Sequence, residues 1–298
     1  MTALLMAAGV ALDWLLGEPR RWHPLVGFGR ITRAVEARLY RVDSRLRGVF
    51  GVALLVLPIT ALFAALRWRY ALLAPLIDIG LLYFALGHRS LHEHARPIAA
   101  ALVAGDYEQA QLLTARIVSR DSAAIDPAPA ATESVLENGN DGVFGALFWF
   151  AVLGGPGALL FRLANTLDAM WGYKNARYLD YGWAAARFDD LLNWPAARLT
   201  ALSYALLGQT RVALHSWRTQ APLWDSPNAG PVMSAGAGAL GLQLGGAARY
   251  EGEWHLRPTL GAGRAAEAAD IERALRLVRH GALLWLAVTM VLDLALHA

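Results

Sequence analysis

The sequence predicts an all-α protein that crosses a membrane several times. Hydrophobic residues make up 56% of the 298 residues and charged residues only 17%, whereas soluble domains are about 25% charged. The chain also contains several long apolar segments, and a helix needs about 20 such residues to cross the hydrocarbon core of a bilayer. No long alternation of apolar and polar residues indicates a strand. We therefore predict one polytopic membrane domain over residues 1–298, with about four or five spanning helices.

The apolar segments that support this prediction are, in chain order, 2–16, 48–66, 71–87, 142–163 and 281–296. The first segment lacks a basic flank and a small-residue cleavage site, so we do not interpret it as a signal peptide. Asp13 and Asp78 lie within apolar segments, where carboxylates are usually functional or paired. Gly154-Gly155-Pro156-Gly157 interrupts the fourth segment, because glycine and proline break helices. We predict a re-entrant hairpin there, and a complete crossing is the alternative.

The distribution of arginine predicts which side of the membrane each loop faces. Residues 20–47 contain eight arginines, and an excess of basic residues is typical of cytoplasmic loops. If segment 142–163 turns back on itself, everything from residue 88 to residue 280 faces the cytoplasm. If it crosses, 197–207 must cross back. We prefer the first topology, and we expect the active site in the polar regions 88–141 and 164–280.

Those polar regions also carry helical patterns. Apolar spacing predicts helices over 89–104 and 106–118, with Asp106 as the N-cap of the second. We predict a loop over 126–129, and a helix over 266–279 that leads into the last apolar segment. The glycine-rich stretch 236–241 has the letters of a dinucleotide fingerprint but follows no predicted strand, so we interpret it as close helix packing.

Composition excludes several classes of function. The chain has no cysteine, which rules out disulfides, thiolate metal sites and cysteine nucleophiles. The formal net charge is only +3, and no basic run interleaved with aromatic residues suggests a nucleic-acid partner.

The candidate binding residues cluster in one window. All six asparagines and the single lysine lie between residues 138 and 228: Asn138, Asn140, Asn165, Asn175, Asn193, Asn228 and Lys174. Amide and ammonium groups bind phosphates and polar substrates. We therefore place the site in this window, although a large soluble region would also concentrate polar residues.

Two groups of carboxylates suggest a metal ion. Glu133, Glu137 and Asp141 are spaced by four residues, so a regular helix would carry them on one face, where they repel one another unless a cation neutralises them. Magnesium prefers such oxygen ligands and often bridges substrate phosphates. The second group is Asp189-Asp190. The alternatives are a solvated acidic face for the first group and structural ion pairs for the second, with Arg187 and Arg198 nearby.

A series of short motifs, taken in their order along the chain, points to one particular family. In chain order these are Asp13…Gly17-Glu18-Pro19, Thr132-Glu133-Ser134-Val135-Leu136-Glu137-Asn138, Asp141-Gly142, Gly154-Gly155-Pro156-Gly157, Asn165-Thr166-Leu167-Asp168, Gly172-Tyr173-Lys174-Asn175, Asp189-Asp190 and Ser226-Pro227-Asn228-Ala229-Gly230. Together they resemble the adenosylcobinamide-phosphate synthase family, known as CobD or CbiB, over most of the chain. Two positions depart from that pattern: Ala146 replaces an expected proline and Asp225 an expected histidine. The second departure puts in doubt a catalytic role for that histidine position.

The resemblance implies a multi-pass enzyme of the bacterial inner membrane that uses ATP and Mg²⁺ and no prosthetic group. Such an enzyme condenses adenosylcobyric acid with aminopropanol phosphate or ethanolamine phosphate. The implied partners are the corrinoid, the aminoalcohol phosphate, membrane lipid and other late enzymes of the pathway, with no nucleic acid. A corrinoid transporter and a scaffold for those enzymes are the alternatives.

From the chemistry of this reaction we assign hypothetical roles. Asp168 and Lys174 are the catalytic candidates, with Asp168 positioning or deprotonating the incoming amine. The carboxylates Glu133, Glu137, Asp141, Asp189 and Asp190 are the magnesium candidates. The candidates for binding phosphate or substrate are Arg177, Arg187, Arg198, Asn138, Asn165, Asn175 and Asn228, together with Lys174.

Overall fold

The computed structural model describes residues 1–19, 24–40, 44–118, 124–250 and 252–297. The described part is mostly helical, as predicted. The helices are α1 (Thr2–Leu16), α2 (Pro24–Leu39), α3 (Arg45–Arg69), α4 (Ala74–Ala85), α5 (His88–Val103), α6 (Tyr107–Thr114), α7 (Pro127–Gly139), α8 (Gly145–Leu153), α9 (Gly155–Trp171), α10 (Trp183–Leu207), α11 (Thr210–Gln220), α12 (Ala229–Leu240) and α13 (Ala268–His297). A π-helical turn, Asn140–Phe144, comes after α7, and a 3₁₀ turn, Ala221–Leu223, comes after α11.

The chain divides into two compact units. The first comprises Met1–Gly87, Gly145–Asn193 and Leu286–Ala298, and the second comprises His88–Phe144 and Trp194–Trp285. Helices α10 and α13 contribute residues to both.

Three stretches of the described residues are long and apolar enough to cross a membrane: Arg45–Arg69, Ala71–Val103 and Ala268–Leu296. They contain the predicted segments 48–66, 71–87 and 281–296. Helix α1 is apolar but shorter. The count of four or five spans and their orientation stay predictions.

The segment 142–163 is not one continuous helix. Gly154 has a left-handed backbone (φ 70°) and separates α8 from α9, which confirms the predicted interruption. The two helices lie against each other, because a Cβ atom on Gly145 in α8 would collide with the ring of Phe161 in α9, sixteen positions later. At the break itself, a Cβ atom on Gly157 would come within 2.6 Å of the Cβ of Leu153. Only glycine fits without strain at positions 154 and 157. The pair α8–α9 is therefore a helical hairpin, as the re-entrant interpretation requires.

A buried carboxylate fixes the tip of this hairpin. Asp78 in α4 accepts a hydrogen bond from the backbone N–H of Gly155 (2.8 Å) and is paired with Nε of Arg67 (2.8 Å). The Asp78 side chain is only 3% exposed. An ionised group in an apolar environment needs such partners, and so this aspartate in an apolar segment is explained by structure.

Replacing Asp78 with alanine should destabilise the first unit. The N–H of Gly155 and the Arg67 guanidinium would lose their acceptor, and hydrogen bonds to charged groups contribute about 1.5–3 kcal/mol. Thermal unfolding of the detergent-solubilised protein would measure the loss. Asp180→Ala is the matched control, because its pair with Arg45 is exposed on both sides and should contribute less than about 1 kcal/mol. Equal midpoints for the two variants would contradict the prediction.

In the second unit, one local prediction is confirmed and another is wrong. Asp106 caps α6 through a hydrogen bond that its carboxylate accepts from the N–H of Gln109 (3.0 Å), which confirms the predicted N-cap. The predicted loop over 126–129 is wrong, because α7 begins at Pro127. Proline is favoured in the first turn of a helix, where its missing N–H has no partner to lose.

The glycines of α12 allow close packing, as predicted. A Cβ on Gly236 would come within 2.8 Å of the Leu136 side chain, and one on Gly238 within 2.8 Å of the Cα of Ala213. Helix α12 therefore lies directly against α7 and α11, and the dinucleotide interpretation fails.

The all-α prediction omitted a short β region in the second unit. The strands are β1 (Leu242–Gly245), β2 (Ala248–Tyr250), β3 (Glu253–His255), β4 (Thr259–Gly261) and β5 (Arg264–Ala265). β1 pairs antiparallel with β4 and parallel with β5, and β2 and β3 form a separate hairpin. Strands of two to four residues are too short to show an alternating pattern in the sequence.

Candidate functional site

The second unit contains a cavity of about 550 Å³. Helix α7 forms one wall, and the segments that come after α11 and β3 form others. Its polar lining residues are Glu133, Ser134, Glu137, Asn138, Asp225 and His255, together with Arg257. Pockets of about 300–1,000 Å³ take one drug-sized molecule. The cavity therefore combines a suitable volume with both signs of charge, and we take it as the candidate site.

A buried ion pair holds two walls of the cavity together. Nη1 of Arg257 lies 2.9 Å from Oε2 of Glu133, and the side chains are 13% and 3% exposed. Glu133 also accepts a hydrogen bond from the N–H of Gly245 (2.9 Å). The Arg257 guanidinium lies over the ring of Trp224, 5.2 Å from its centroid. Glu133, predicted as a metal ligand, is therefore the ion-pair partner of Arg257 in the structure.

The three carboxylates of the first acidic group do not share one face. Glu133 and Glu137 line the cavity, but Asp141 does not. The reason is the π-helical turn Asn140–Phe144, because a π turn contains more residues than an α turn and so rotates the later side chains around the helix axis. Asp141 instead accepts a hydrogen bond from the side-chain amide of Asn140 (2.9 Å). The predicted regular spacing is wrong at this point.

No three histidine, aspartate or glutamate side chains of the described residues come together as a metal-binding group. The role of the acidic groups in holding magnesium on the nucleotide stays a prediction. A magnesium ion that is held by one or two carboxylates and by substrate phosphates needs no group of three protein ligands.

Beside the cavity, Arg198 has a structural role. It donates hydrogen bonds to Oδ1 of Asn228 and to the carbonyl of Pro227 (2.9 Å), and it lies over the ring of Trp194. Asn228 is buried. Arg198 and Asn228, which were both predicted to bind substrate, are therefore hydrogen-bonded to each other. Their contacts fix the segment that comes after Asp225. Asn138 is exposed and donates to the carbonyl of Ser134 (2.9 Å).

In the first unit, the Asp189-Asp190 pair separates. Asp189 is buried and accepts hydrogen bonds from the amides of Asn165 (3.3 Å) and Asn193 (3.1 Å). Asp190 lies 3.6 Å from Arg187. Consecutive residues on a helix point about 100° apart, which is why the two carboxylates have different partners. The structure therefore places Asn165 next to Asp189, whereas Asp189 and Asp190 do not face a common binding site.

Arg177 is exposed, but it contacts a buried cluster in the first unit. Its Nη2 lies 2.7 Å from Oε1 of the buried Glu36, whose carboxylate also accepts hydrogen bonds from Tyr178 at Oε1 and from Trp171 at Oε2. The hydrogen bond to Glu36 raises the pKa of the Arg177 guanidinium above its usual value. In the same cluster, burial raises the pKa of Tyr181 to about 12. Arg177, predicted to bind phosphate, is therefore held by protein groups.

The remaining candidates are Lys174 and Asn175 in the loop between α9 and α10, and Asp168 near the end of α9. Lys174 is exposed. Asn175 accepts hydrogen bonds from the backbone N–H groups of Arg177 and Tyr178 (3.1 Å each) and so shapes the loop. Asp168 lies against Gly172, where any Cβ atom would collide with its carboxylate. Lys174 is therefore exposed to solvent, whereas Asn175 and Asp168 near it have contacts that shape the local backbone.

Sequence reasoning missed part of the cavity lining. Ser134 stood in a quoted motif without a role, and Asp225 was noted only as a departure from the family pattern. Trp224, His255 and Arg257 were not singled out. Trp224 and Asp225 come directly before the Ser226-Pro227-Asn228 motif and could have been included. Nothing local marks Arg257, because its partner Glu133 is 124 positions away.

Comparisons with known proteins show the same family from end to end. The family model described as CobD/Cbib protein matches residues 6–278. The chain is similar to a protein of Chromobacterium violaceum named cobalamin biosynthesis protein CobD, with 55% identity over 100% of this chain and 99% of the relative. A protein of the same name from Stutzerimonas stutzeri is 57% identical over 97% of this chain and 98% of its own length. The one from Mycobacterium tuberculosis is 41% identical over 95% and 94%. No solved structure matches.

Proposed function

The chain belongs to the CobD/CbiB family, and from this premise we propose that it is the amide-forming ligase of cobalamin biosynthesis. It would join adenosylcobyric acid to aminopropanol phosphate, or to ethanolamine phosphate, with consumption of ATP. The cavity with Glu137, Asp225 and Arg257 is the observation that supports this proposal most directly. We propose further that the protein lies in the bacterial inner membrane, with this cavity on the cytoplasmic side.

The reaction needs activation, because the oxygen of a carboxylate is a poor leaving group. We propose that the carboxylate of the corrinoid attacks the γ-phosphorus of ATP, which gives an acyl phosphate and ADP. The amine, after loss of one proton, attacks the carbonyl carbon, and inorganic phosphate leaves as the amide bond forms. Positioning and charge neutralisation provide most of the catalysis in such phosphoryl transfers.

Magnesium supplies charge neutralisation on the phosphates when it is bound. The donors present fit a site of one or two carboxylates that leaves room for phosphate oxygens, and they do not fit a protein-only cage within the described residues. Within the cavity we assign this role to Glu137 and Asp225, because both line it and are less buried than Glu133. Of the other predicted ligands, Asp141 does not line the cavity, and Asp189 and Asp190 belong to the first unit.

For phosphate binding we propose Lys174, which is exposed, and Arg187, because its pair with Asp190 is long (3.6 Å) and the arginine side chain is 64% exposed. Arg177 and Arg198 have hydrogen bonds to protein groups in the structure, and so we give them a positioning role. Asp168 remains our candidate for orienting or deprotonating the amine. Asn138, which lines the cavity and is exposed, suits hydrogen bonding to substrate amides.

Product formation tests the proposal. Purified protein incubated with adenosylcobyric acid, aminopropanol phosphate, ATP and magnesium should release adenosylcobinamide phosphate, which mass spectrometry identifies, with one ADP per amide. Omitting the amine or ATP is the control. Active protein that gives AMP instead of ADP would overturn the acyl-phosphate step. Absence of product, together with corrinoid uptake by vesicles that contain the protein, would favour the transporter alternative.

The transporter is the weaker alternative. Its support is the presence of carboxylates in apolar helices, which often mark a transport pathway. However, Asp78 is tied to Arg67 and Gly155, and Asp13 is buried within α1. The charged groups that line the cavity lie outside the three stretches that are long and apolar enough to cross a membrane.

A further inference from the structure

The cavity in the second unit changes character between its interior and its mouth. Glu133 and Arg257 in its lining are almost fully buried. Leu223 and Leu256 also line it, yet they are 65% and 92% exposed. Single exposed leucines are common on protein surfaces. Two on the edge of one charged cavity place apolar surface next to its polar interior.

The two leucines have charged and polar neighbours. Asp225 lies two residues after Leu223, and His255 and Arg257 flank Leu256 in the chain. Asp225 and His255 are exposed. Charged side chains are costly in hydrocarbon, which argues against immersion of this edge in the bilayer. The mouth therefore meets water, and its exposed leucines are available to a soluble ligand.

Size decides how such a ligand can bind. A volume of about 550 Å³ accepts one drug-sized molecule, whereas a corrin macrocycle with its peripheral amide arms is larger. The macrocycle has apolar faces and one free carboxylate on an arm. It can place this arm in the polar interior only while its body stays outside.

Resting on the proposed function, we infer that Leu223 and Leu256 are the specificity-determining contacts for the body of the corrinoid. They hold the apolar face of the macrocycle at the mouth of the cavity, and one carboxylate-bearing arm reaches the interior lined by Glu137 and Arg257. ATP and the aminoalcohol phosphate make no use of this apolar edge.

Steady-state kinetics of Leu223→Ser, Leu256→Ser and the double variant test this inference. Losing most of the contact of one leucine with an apolar ligand corresponds to about a tenfold change in affinity. We expect the KM for adenosylcobyric acid to rise about tenfold in each single variant and further in the double variant. The KM values for ATP and aminopropanol phosphate, and kcat, should stay within about twofold.

Leu112→Ser is the matched control. Leu112 is 51% exposed, lies in α6 of the same unit and does not line the cavity. Its KM for the corrinoid should equal that of the wild-type protein.

An unchanged corrinoid KM in the double variant, with product still formed, overturns the inference and leaves the proposed function intact. A loss that occurs in lipid vesicles but not in detergent also overturns it, because the leucines then contact lipid. If the wild-type protein forms no product, the proposed function fails, and equilibrium dialysis with adenosylcobyric acid decides the inference separately. Binding by the wild-type protein that the double variant loses supports it, and equal binding by both overturns it.

Discussion

Glu133→Ala is expected to lower the stability of the second unit by about 3–5 kcal/mol. Breaking a buried ion pair by removing one partner has a cost of this size because the other charge stays buried without compensation. Here the remaining charge is that of Arg257, which is 13% exposed. The N–H of Gly245 would also lose its acceptor. Thermal and denaturant unfolding in detergent, followed by tryptophan fluorescence, would measure the change.

A matched control exists in the same unit. The pair Arg96–Glu272 has a similar N···O distance (3.0 Å) but is 52% and 34% exposed, so Glu272→Ala should cost less than about 1 kcal/mol. The double variant Glu133→Leu/Arg257→Leu should recover part of the loss, since it leaves no buried charge. If Glu133→Ala and Glu272→Ala unfold alike, the buried pair does not stabilise the walls of the cavity.

Lys174→Ala is expected to reduce kcat for amide formation by about 10²–10³-fold. Removing one preorganised group that stabilises charge in a transition state typically has this effect, and Lys174 is our proposed phosphate-binding cation. The residue is exposed on a loop, so the variant should insert and unfold like the wild-type protein. Product formation at saturating substrates would measure the change.

Lys174→Arg keeps the charge and should retain more activity than the alanine variant. Arg218→Ala removes an exposed cation from α11 and should have wild-type kcat. Full turnover by Lys174→Ala would remove this lysine from the site without affecting the proposed reaction.

The features that the sequence predicted well have local causes. Apolar runs predicted the long helices, the side chain of Asp106 predicted a cap, and Gly154-Gly155-Pro156-Gly157 predicted the break between α8 and α9. In each case neighbouring residues contain the whole physical reason. The close packing of α12 belongs to the same class, because glycines at helical spacing permit it whatever the partner.

The features that the sequence did not predict depend on distant partners. The regular face of Glu133, Glu137 and Asp141 fails because a π turn intervenes, where Thr200 donates a hydrogen bond to Asn140. Arg257 could not be assigned to the cavity without knowing that Glu133 faces it. Two adjacent aspartates suggested a shared ligand, but the helix turns them toward different neighbours. The candidate site therefore combines residues from predicted motifs with residues that only the fold selects.

The hydrogen bond between Asp78 and Gly155 also has a consequence for synthesis on the ribosome. The two residues are 77 positions apart, and translation at about 5–20 residues per second takes about 4–15 s to cover that distance. Helix α4 is therefore made before the backbone N–H from which its carboxylate finally accepts a hydrogen bond. Arg67, only 11 positions earlier, is made before Asp78 and is the partner that this carboxylate can have from the start.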